Sequence, residues 1–411
     1  MNKPATALIL ANQRAYKMPV HPTVVVCVDG CEPDYLAQAV AAGRMPWLKR
    51  ALAHGVALRA DCAMPSFTNP NNLSIVTGVA PAVHGISGNY FLDRTSGQAV
   101  MMNDPQWLRC PTLLAEAARS GLSVAVVTAK DKLRTLLGHG LRGVCFSAEC
   151  ADAATLATHG IDAVLELVGR PKPSVYSAEL SEFVFAAGVR LMETRRPDLM
   201  YLSTTDYVQH KHAPGTPQAN DFYAMLDGYM AQLEDLGCVI ALTADHGMHA
   251  KTQMDGAPQV IYLGDWLRGF LQRDDARVIL PITDPYVVHH GALGSFATVY
   301  LPADVSAAAV CEALKKLQGI DSALPREQAA SLMELPADRI GDVVVVADRF
   351  TVLGTTPAEH DLSGLEVPLR SHGGRGEQTV PLIVNRPAPQ LDRTRRWRNF
   401  DVFDVALNYA Q

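Results

Sequence analysis

Long apolar runs are missing from this chain of 411 residues. No stretch approaches the ~20 consecutive apolar residues needed to cross a bilayer, which argues against a membrane protein. The first ten residues, Met1-Asn-Lys-Pro-Ala-Thr-Ala-Leu-Ile-Leu10, carry neither a long apolar segment nor a small-residue cleavage site. Paired cysteines are absent as well. The eight cysteines stand at 27, 31, 62, 110, 145, 150, 238 and 311, with no CxxC among them, and several sit inside apolar runs where a thiol behaves as a small hydrophobe. A reducing cytoplasm is the simplest location. Positive charge is in short supply too. The net charge of −6 argues against a nucleic-acid binder that works through a broad basic surface, so an anionic ligand must be attracted locally. There are no internal repeats and no low-complexity linker. What remains is a globular composition, 48% hydrophobic and 19% charged, in a chain long enough for a large core and one further domain.

Up to about residue 250, short apolar runs alternate with helical patterns. Strands are expected at 23–28, 124–128, 143–146, 199–203 and 239–243, and helices at 46–54, 112–120, 178–195 and 218–236. Continuous β-branched runs separated by helices predict an α/β fold, a mainly parallel sheet sandwiched by helices. From 255 to 365 the pattern changes to strands at 296–301, 342–347 and 349–353 around a helix at 306–318. This reads as a small α+β cap inserted into a core formed by 1–254 and 366–411, with a last core strand at 380–384 and a closing helix at 399–409.

The candidate chemistry gathers at the strand exits, where open α/β sheets bind ligands. Asp29 follows the first strand, Asp206 and His210 the fourth, and Asp245 and His246 the fifth; His372 precedes Gly373-Gly374. Asp206 and His210 are four apart, so on a helical turn they share one face. Singly, Asp29 could equally be a turn residue and His210 a solvated one; in conjunction they form a metal-ligand set. Carboxylate oxygen with imidazole nitrogen favours Zn²⁺, with Mn²⁺ or Fe²⁺ as substitutes, over Mg²⁺ or Ca²⁺. Two such ions about 4 Å apart would clamp the attacking and leaving oxygens of a phosphoryl displacement. Thr68 precedes a helix expected to open at Pro70 and close at Gly78, where the positive helix end would favour an alkoxide. Position alone does not separate it from Ser66 and Ser74. His212, His249, His289 and His290 are read as surface or supporting residues.

The ordered set Val28-Asp29-Gly30, Pro65–Asn72, Gly85-Ile-Ser-Gly-Asn-Tyr90, Asp206 with His210, Asp245-His246-Gly247 and Ser371-His372-Gly373 resembles the alkaline phosphatase superfamily. The likeness is greatest to its nucleotide pyrophosphatase/phosphodiesterase-like branch, over roughly 20–250 and 366–405. The resemblance implies two zinc ions: one on Asp29, Asp245 and His246 with Thr68 bridging, the other on Asp206, His210 and His372. Asn89 matches the asparagine that binds phosphoryl oxygens. Thr68 occupies the nucleophile slot, where the sulfatase branch needs a modified cysteine or serine.

Thr128-Ala-Lys-Asp-Lys132 resembles the carbon–phosphorus-cleaving members, in which two lysines hold a substrate carboxylate. Lys130 and Lys132, two apart in a segment read as extended, are expected to point the same way. The implied activity is hydrolysis of phosphonoacetate to acetate and phosphate through a phosphothreonine; cleavage of P–O bonds by the same site is the alternative, with Phe67, Tyr90 and Tyr207 as a candidate base clamp. The expected partner is a small phosphonate, with no nucleic acid and no membrane, and a homodimer is left open.

Overall fold

The computed structural model describes residues 8–283, 291–363, 365 and 367–411. Its centre is a seven-stranded sheet of β1 (Thr23–Cys27), β2 (Val56–Asp61), β3 (Val124–Thr128), β4 (Val144–Ser147), β5 (Leu199–Ser203), β6 (Val239–Thr243) and β7 (Thr379–Val384). The spatial order is β2-β7-β6-β1-β5-β3-β4. β6, β1, β5, β3 and β4 are joined by parallel pairings; β7 runs antiparallel to both β6 and β2. Every residue of β1, β3, β5 and β6 is buried, which explains why these segments read as continuous apolar runs: helices cover both faces. The long helices Glu179–Thr194 and Pro217–Asp235 pack against each other, the first lying on β5 and β3 and the second on β6. Thr216 caps the latter helix by accepting from Ala219 N–H, with Pro217 pre-set at its first position.

Between β6 and β7 the chain builds a second sheet of four antiparallel strands in the order Arg277–Ile279, Phe296–Tyr300, Val343–Ala347, Ile320–Pro325. The helices Ala307–Leu314 and Arg326–Met333 pack on it around Phe296, Val299, Val310, Leu314 and Val344. This apolar cluster also takes in Met64 and Phe67, so the segment that leads into Thr68 packs with this second sheet.

Several expected elements differ. The 349–353 strand is instead Val352–Gly354, which pairs in parallel with Val260–Tyr262 in a separate two-stranded sheet. The helix expected at 306–318 stops at Leu314. The closing segment is a short 3-10 turn, one α-helical turn and a π-helical turn over 399–409 rather than one continuous helix. The hairpin Leu8–Ala11 with Arg14–Lys17 and the outer strand β2 went unread; both expose much of their length and lack the buried apolar run. His289 and His290 lie outside the described residues.

Helix–sheet packing is close where Gly188 meets Leu202: a methyl at Gly188 would lie 2.8 Å from Leu202 Cδ1. Leu202→Ala should lower unfolding free energy by about 2–5 kcal/mol through the cavity it leaves. Adding Gly188→Ala should recover part of that loss, because the new methyl enters the vacated space and alanine favours the helix by about 1 kcal/mol over glycine. Urea denaturation of the four-protein cycle measures this; a double variant less stable than Leu202→Ala would contradict the packing.

Candidate metal centre

Sheet order explains why three carboxylates meet. β6, β1 and β5 are neighbours, and each ends in an aspartate two or three residues on: Asp245, Asp29 and Asp206. Strands about 4.8 Å apart thus bring the acids side by side at one edge. His210 stands one helical turn after Asp206, its Nε2 2.9 Å from Asp206 Oδ2. His246 Nε2 lies 3.3 Å from Asp29 Oδ1 and 3.9 Å from Asp245 Oδ2, and His372 Nε2 lies 3.8 Å from Asp206 Oδ2. The His246 and His372 rings stack with centroids 3.7 Å apart.

The three imidazoles share one arrangement. Nδ1 of His210 meets Arg370 O at 2.8 Å, Nδ1 of His246 meets Gly247 O at 2.9 Å, and Nδ1 of His372 meets Ser66 O at 2.8 Å. A carbonyl can only accept, so each Nδ1 carries a proton and each Nε2 is turned toward the carboxylates. Asp29 Oδ1 is buried and has no hydrogen-bond partner. It faces His246 Nε2 at 3.3 Å, a separation at which both atoms can ligate one cation.

Electrostatics lead to the same demand. Burial, then the charges of Asp206 and Asp245, pushes the Asp29 carboxyl well above the usual range. Burial also raises Asp245, although His246 opposes it. Asp206 resists its own burial: His210, then His372 and His246, hold it well below the ordinary carboxylate range. Burial and the neighbouring His246 depress His372 well below an ordinary imidazole. Two groups of side chains, Asp29/Asp245/His246 and Asp206/His246/His372, place ligand atoms within 4.8 Å of one another. The donor set therefore fits metal ions. The second group closes through His246; His210 joins it by way of Asp206.

Thr68 is the first residue of the helix Thr68–Thr77, not the residue before it, because Phe67 is already extended and Pro70 falls in the first turn. Its Oγ1 lies 3.4 Å from His246 Nε2. The competing hydroxyls point elsewhere: Ser66 Oγ donates to Gly374 O, and Ser74 Oγ pairs with the buried His84 Nε2 at 2.9 Å. Asn89 Oδ1 accepts from Asn69 N–H at 3.1 Å, which leaves its amide nitrogen as the donor. Gly373, at φ 115°, is required where it stands, since a Cβ would lie 2.5 Å from the Phe67 ring.

One cavity of about 840 Å³ is lined by Asp29, Thr68, Asn89, Lys130, Lys132, Asp206, His210 and His372; Asp245 and His246 lie fully buried and are not among its lining. The lysines reach it differently from the expected extended pair. Lys130 ends the loop after β3, and Lys132 is in the first turn of the helix Asp131–Leu137. That turn starts early because Glu149 accepts the Asp131 N–H and Ser147 Oγ holds the Asp131 carboxylate. Lys130 Nζ donates to Val175 O and lies over the Tyr176 ring. Of the proposed aromatic clamp only Tyr207 lines the cavity; Phe67 is turned into the core against Phe296, and Tyr90 is not part of the lining. Tyr176 does line it.

Asn72 was missed. Its Nδ2 donates to Asp245 Oδ2 at 3.0 Å, while its Oδ1 accepts from Tyr201 and Ser203. The signal was present as an asparagine run inside a helix that is otherwise buried, where polar side chains need designated partners.

A buried carboxylate–imidazole centre at parallel strand exits, beside a hydroxyl at a helix start, defines a class of hydrolases that act on phosphorus. The chain belongs to the type I phosphodiesterase / nucleotide pyrophosphatase family, matched over residues 23–375, within the alkaline phosphatase superfamily, and it is a hydrolase. It is 56% identical to the phosphonoacetate hydrolase from Sinorhizobium meliloti 1021, solved in complex with phosphonoformate (TM-score 0.96) and with phosphonoacetate (TM-score 0.95). Each alignment covers 98% of this chain and 99% of that one. Murine ectonucleotide pyrophosphatase/phosphodiesterase 5, at 17% identity and TM-score 0.63 over 95% of this chain and 96% of its own, shares the fold. An uncharacterized pyrophosphatase/phosphodiesterase of Schizosaccharomyces pombe is 30% identical over 89 residues, 22% of this chain and 18% of that protein.

Asn72→Ala should remove a support that buried neighbours cannot replace. Asp245, Tyr201 and Ser203 would each lose a partner, at about 1–3 kcal/mol for every buried group left unpaired. A drop in thermal midpoint together with weaker metal retention is expected; an unchanged midpoint would show that these groups find other partners.

Proposed function

We propose that this protein hydrolyses the carbon–phosphorus bond of phosphonoacetate, giving acetate and phosphate, with Thr68 as nucleophile and two Zn²⁺ as cofactors. Mn²⁺ or Fe²⁺ are the expected substitutes. The observation that carries this reading is that Lys130 and Lys132 line the same cavity as Thr68 and the metal-type side chains. A substrate anionic at both ends is what such a cavity suits, and the S. meliloti relative binds one.

When bound, the ions supply Lewis-acid neutralisation of the phosphonate and favour ionisation of the Thr68 hydroxyl. Asn89 donates its amide N–H to a phosphonate oxygen. Thr68 Oγ1, at the positive end of its helix, attacks phosphorus; the O–P bond forms and the P–C bond breaks. The departing electron pair passes into the adjacent carboxylate as an enediolate, which the ammonium groups of Lys130 and Lys132 stabilise. Protonation at carbon gives acetate, and water then releases phosphate from phospho-Thr68. In this reading 255–365 acts as a cap domain over the core of 1–254 and 366–411, contributing Ile282 to the cavity wall. The eight unpaired cysteines support a cytoplasmic location, and no helix among the described residues is long and apolar enough to cross a membrane.

A second reading, cleavage of P–O diesters by the same site, is favoured by Tyr207 and Tyr176 in the lining, which could flank a planar leaving group. The lysines decide between the two. Lys130→Ala and Lys132→Ala should each lower kcat/KM for phosphonoacetate by about 10²–10³-fold, as loss of a donor to a charged transition state does, while a nitrophenyl phosphodiester is cleaved as before. Unchanged phosphonoacetate turnover would remove the lysines from the mechanism. Thr68→Ala should abolish turnover yet keep close to two ions per chain by elemental analysis; residual turnover near wild type would assign the nucleophile elsewhere.

A further inference from the structure

Beneath the metal-type residues lies a second cluster of charge that the reaction does not use. His249 Nε2 meets Glu32 Oε2 at 2.6 Å, and its Nδ1 meets Glu377 Oε1 at 2.9 Å. Lys251 Nζ donates to the same Glu377 oxygen at 2.8 Å and to Arg349 O at 2.9 Å. Glu377 Oε2 accepts from Gly374 N–H at 3.0 Å, and its backbone carbonyl accepts from Gly247 N–H at 2.8 Å. All four side chains are buried, Lys251 and Glu377 completely.

Their positions in the chain are informative. Glu32 lies three residues after Asp29, His249 three after His246, and Glu377 five after His372. Three of the four loops that carry metal-type residues thus send members into the cluster, the Asp245–His246 loop two of them, His249 and Lys251. His249 also contrasts with His210, His246 and His372. Both of its nitrogens face carboxylate oxygens, whereas Nδ1 of each of the other three meets a backbone carbonyl, so His249 is held between two anions as an imidazolium. Burial works against that charge, yet Glu32 and Glu377 raise the His249 pKa; Lys251 and His249 in turn lower Glu377 to about 2 despite its burial. Two cations face two anions, and the cluster is neutral overall.

We propose that Glu32, His249, Lys251 and Glu377 are positioning residues, a buried ionic clamp that holds the Asp29, His246 and His372 loops in the geometry that binds metal. The inference rests on the two-zinc reading above. Buried ion pairs contribute little net stability compared with apolar packing, but they impose fixed directions and distances. Groups that orient ligands in this way commonly set metal affinity by about 10–100-fold.

The test uses the full-length protein, with zinc affinity measured by competition against a chromogenic chelator. His249→Gln and Glu32→Gln should each weaken zinc binding by about 10–100-fold. With zinc in excess, kcat should recover while KM for phosphonoacetate stays within about threefold of wild type, because neither residue meets substrate. Val310→Ala serves as the control: Val310 is fully buried on the helix Ala307–Leu314, away from this cluster and from the strand exits, so its loss should lower stability and leave zinc affinity unchanged. Wild-type affinity in both glutamine variants would overturn the proposal, as would an equal loss in Val310→Ala, which would reduce the cluster to general stability. If one glutamine variant fails to fold, the other decides. Wild-type protein that binds no zinc at all would instead overturn the metal reading, a result separate from any comparison among variants.

Discussion

Repulsion among Asp29, Asp206 and Asp245 is the constraint around which the rest of the molecule is organised. Three acids buried at the ends of adjacent strands would protonate if nothing compensated them, since burial disfavours the charged form and each charge disfavours the next. Asp206 has imidazoles within reach, but Asp29 keeps an oxygen with no hydrogen-bond partner. The surrounding structure does not relieve that conflict; it stabilises it. The imidazoles of His210, His246 and His372 are each pinned through Nδ1 to a backbone carbonyl, Asn72 is committed to Asp245, and Thr204 accepts the Asp29 backbone N–H. A site so constrained is built around cations, and its geometry is held by hydrogen bonds that water cannot supply at that depth.

The order of the strands sorts the chemistry across the sheet. The central strands β6, β1 and β5 end in acids that suit metal, the next strand β3 ends at Lys130, and β4 is followed by Glu149. Negative and positive functions are therefore separated by sheet position rather than by an intervening wall. Glu149 and Asp131 stand beside the lysines with their own hydrogen bonds, one to the Asp131 backbone N–H and the other to Arg134 and Ser147. Carboxylates near a cationic site are tolerable when their own hydrogen bonds fix where they point.

Much of this was legible in the sequence for one physical reason. Strands covered on both faces are continuous apolar runs, so β1, β3, β5 and β6 could be read with their ends, and the residues just past each end could be read as the candidate site. Where that signature fails, the reading fails. β2, Val-Ala-Leu-Arg-Ala-Asp, is a half-buried outer strand, and the closing segment mixes three helical types that no periodicity distinguishes. Lys130 and Lys132 were placed on an extended segment because nothing local announces a helix at Asp131; its start depends on Glu149, eighteen residues away. Glu32, His249 and Glu377 are separated by more than a hundred residues at each step, and a histidine between two glutamates has no sequence pattern at all.

Within a shared metal core, the difference between cleaving P–O and P–C bonds resides in the leaving group. An alkoxide leaves with modest help, whereas a carbanion departs only if its electrons are drawn elsewhere. The attacking side, Thr68 with the metal-type residues, can thus be common to both chemistries, and discrimination must arise on the far side of phosphorus. In the proposed reading that side faces the exit of β3, where Lys130 Nζ donates to Val175 O and lies over the Tyr176 ring and Lys132 is in the first turn of a helix. Two cations at fixed positions suit a carboxylate whose charge grows as the bond breaks, because charges already in place need no reorganisation in the transition state. The proposed substrate preference therefore depends less on the seven residues proposed to hold metal than on how firmly the start of one short helix is anchored.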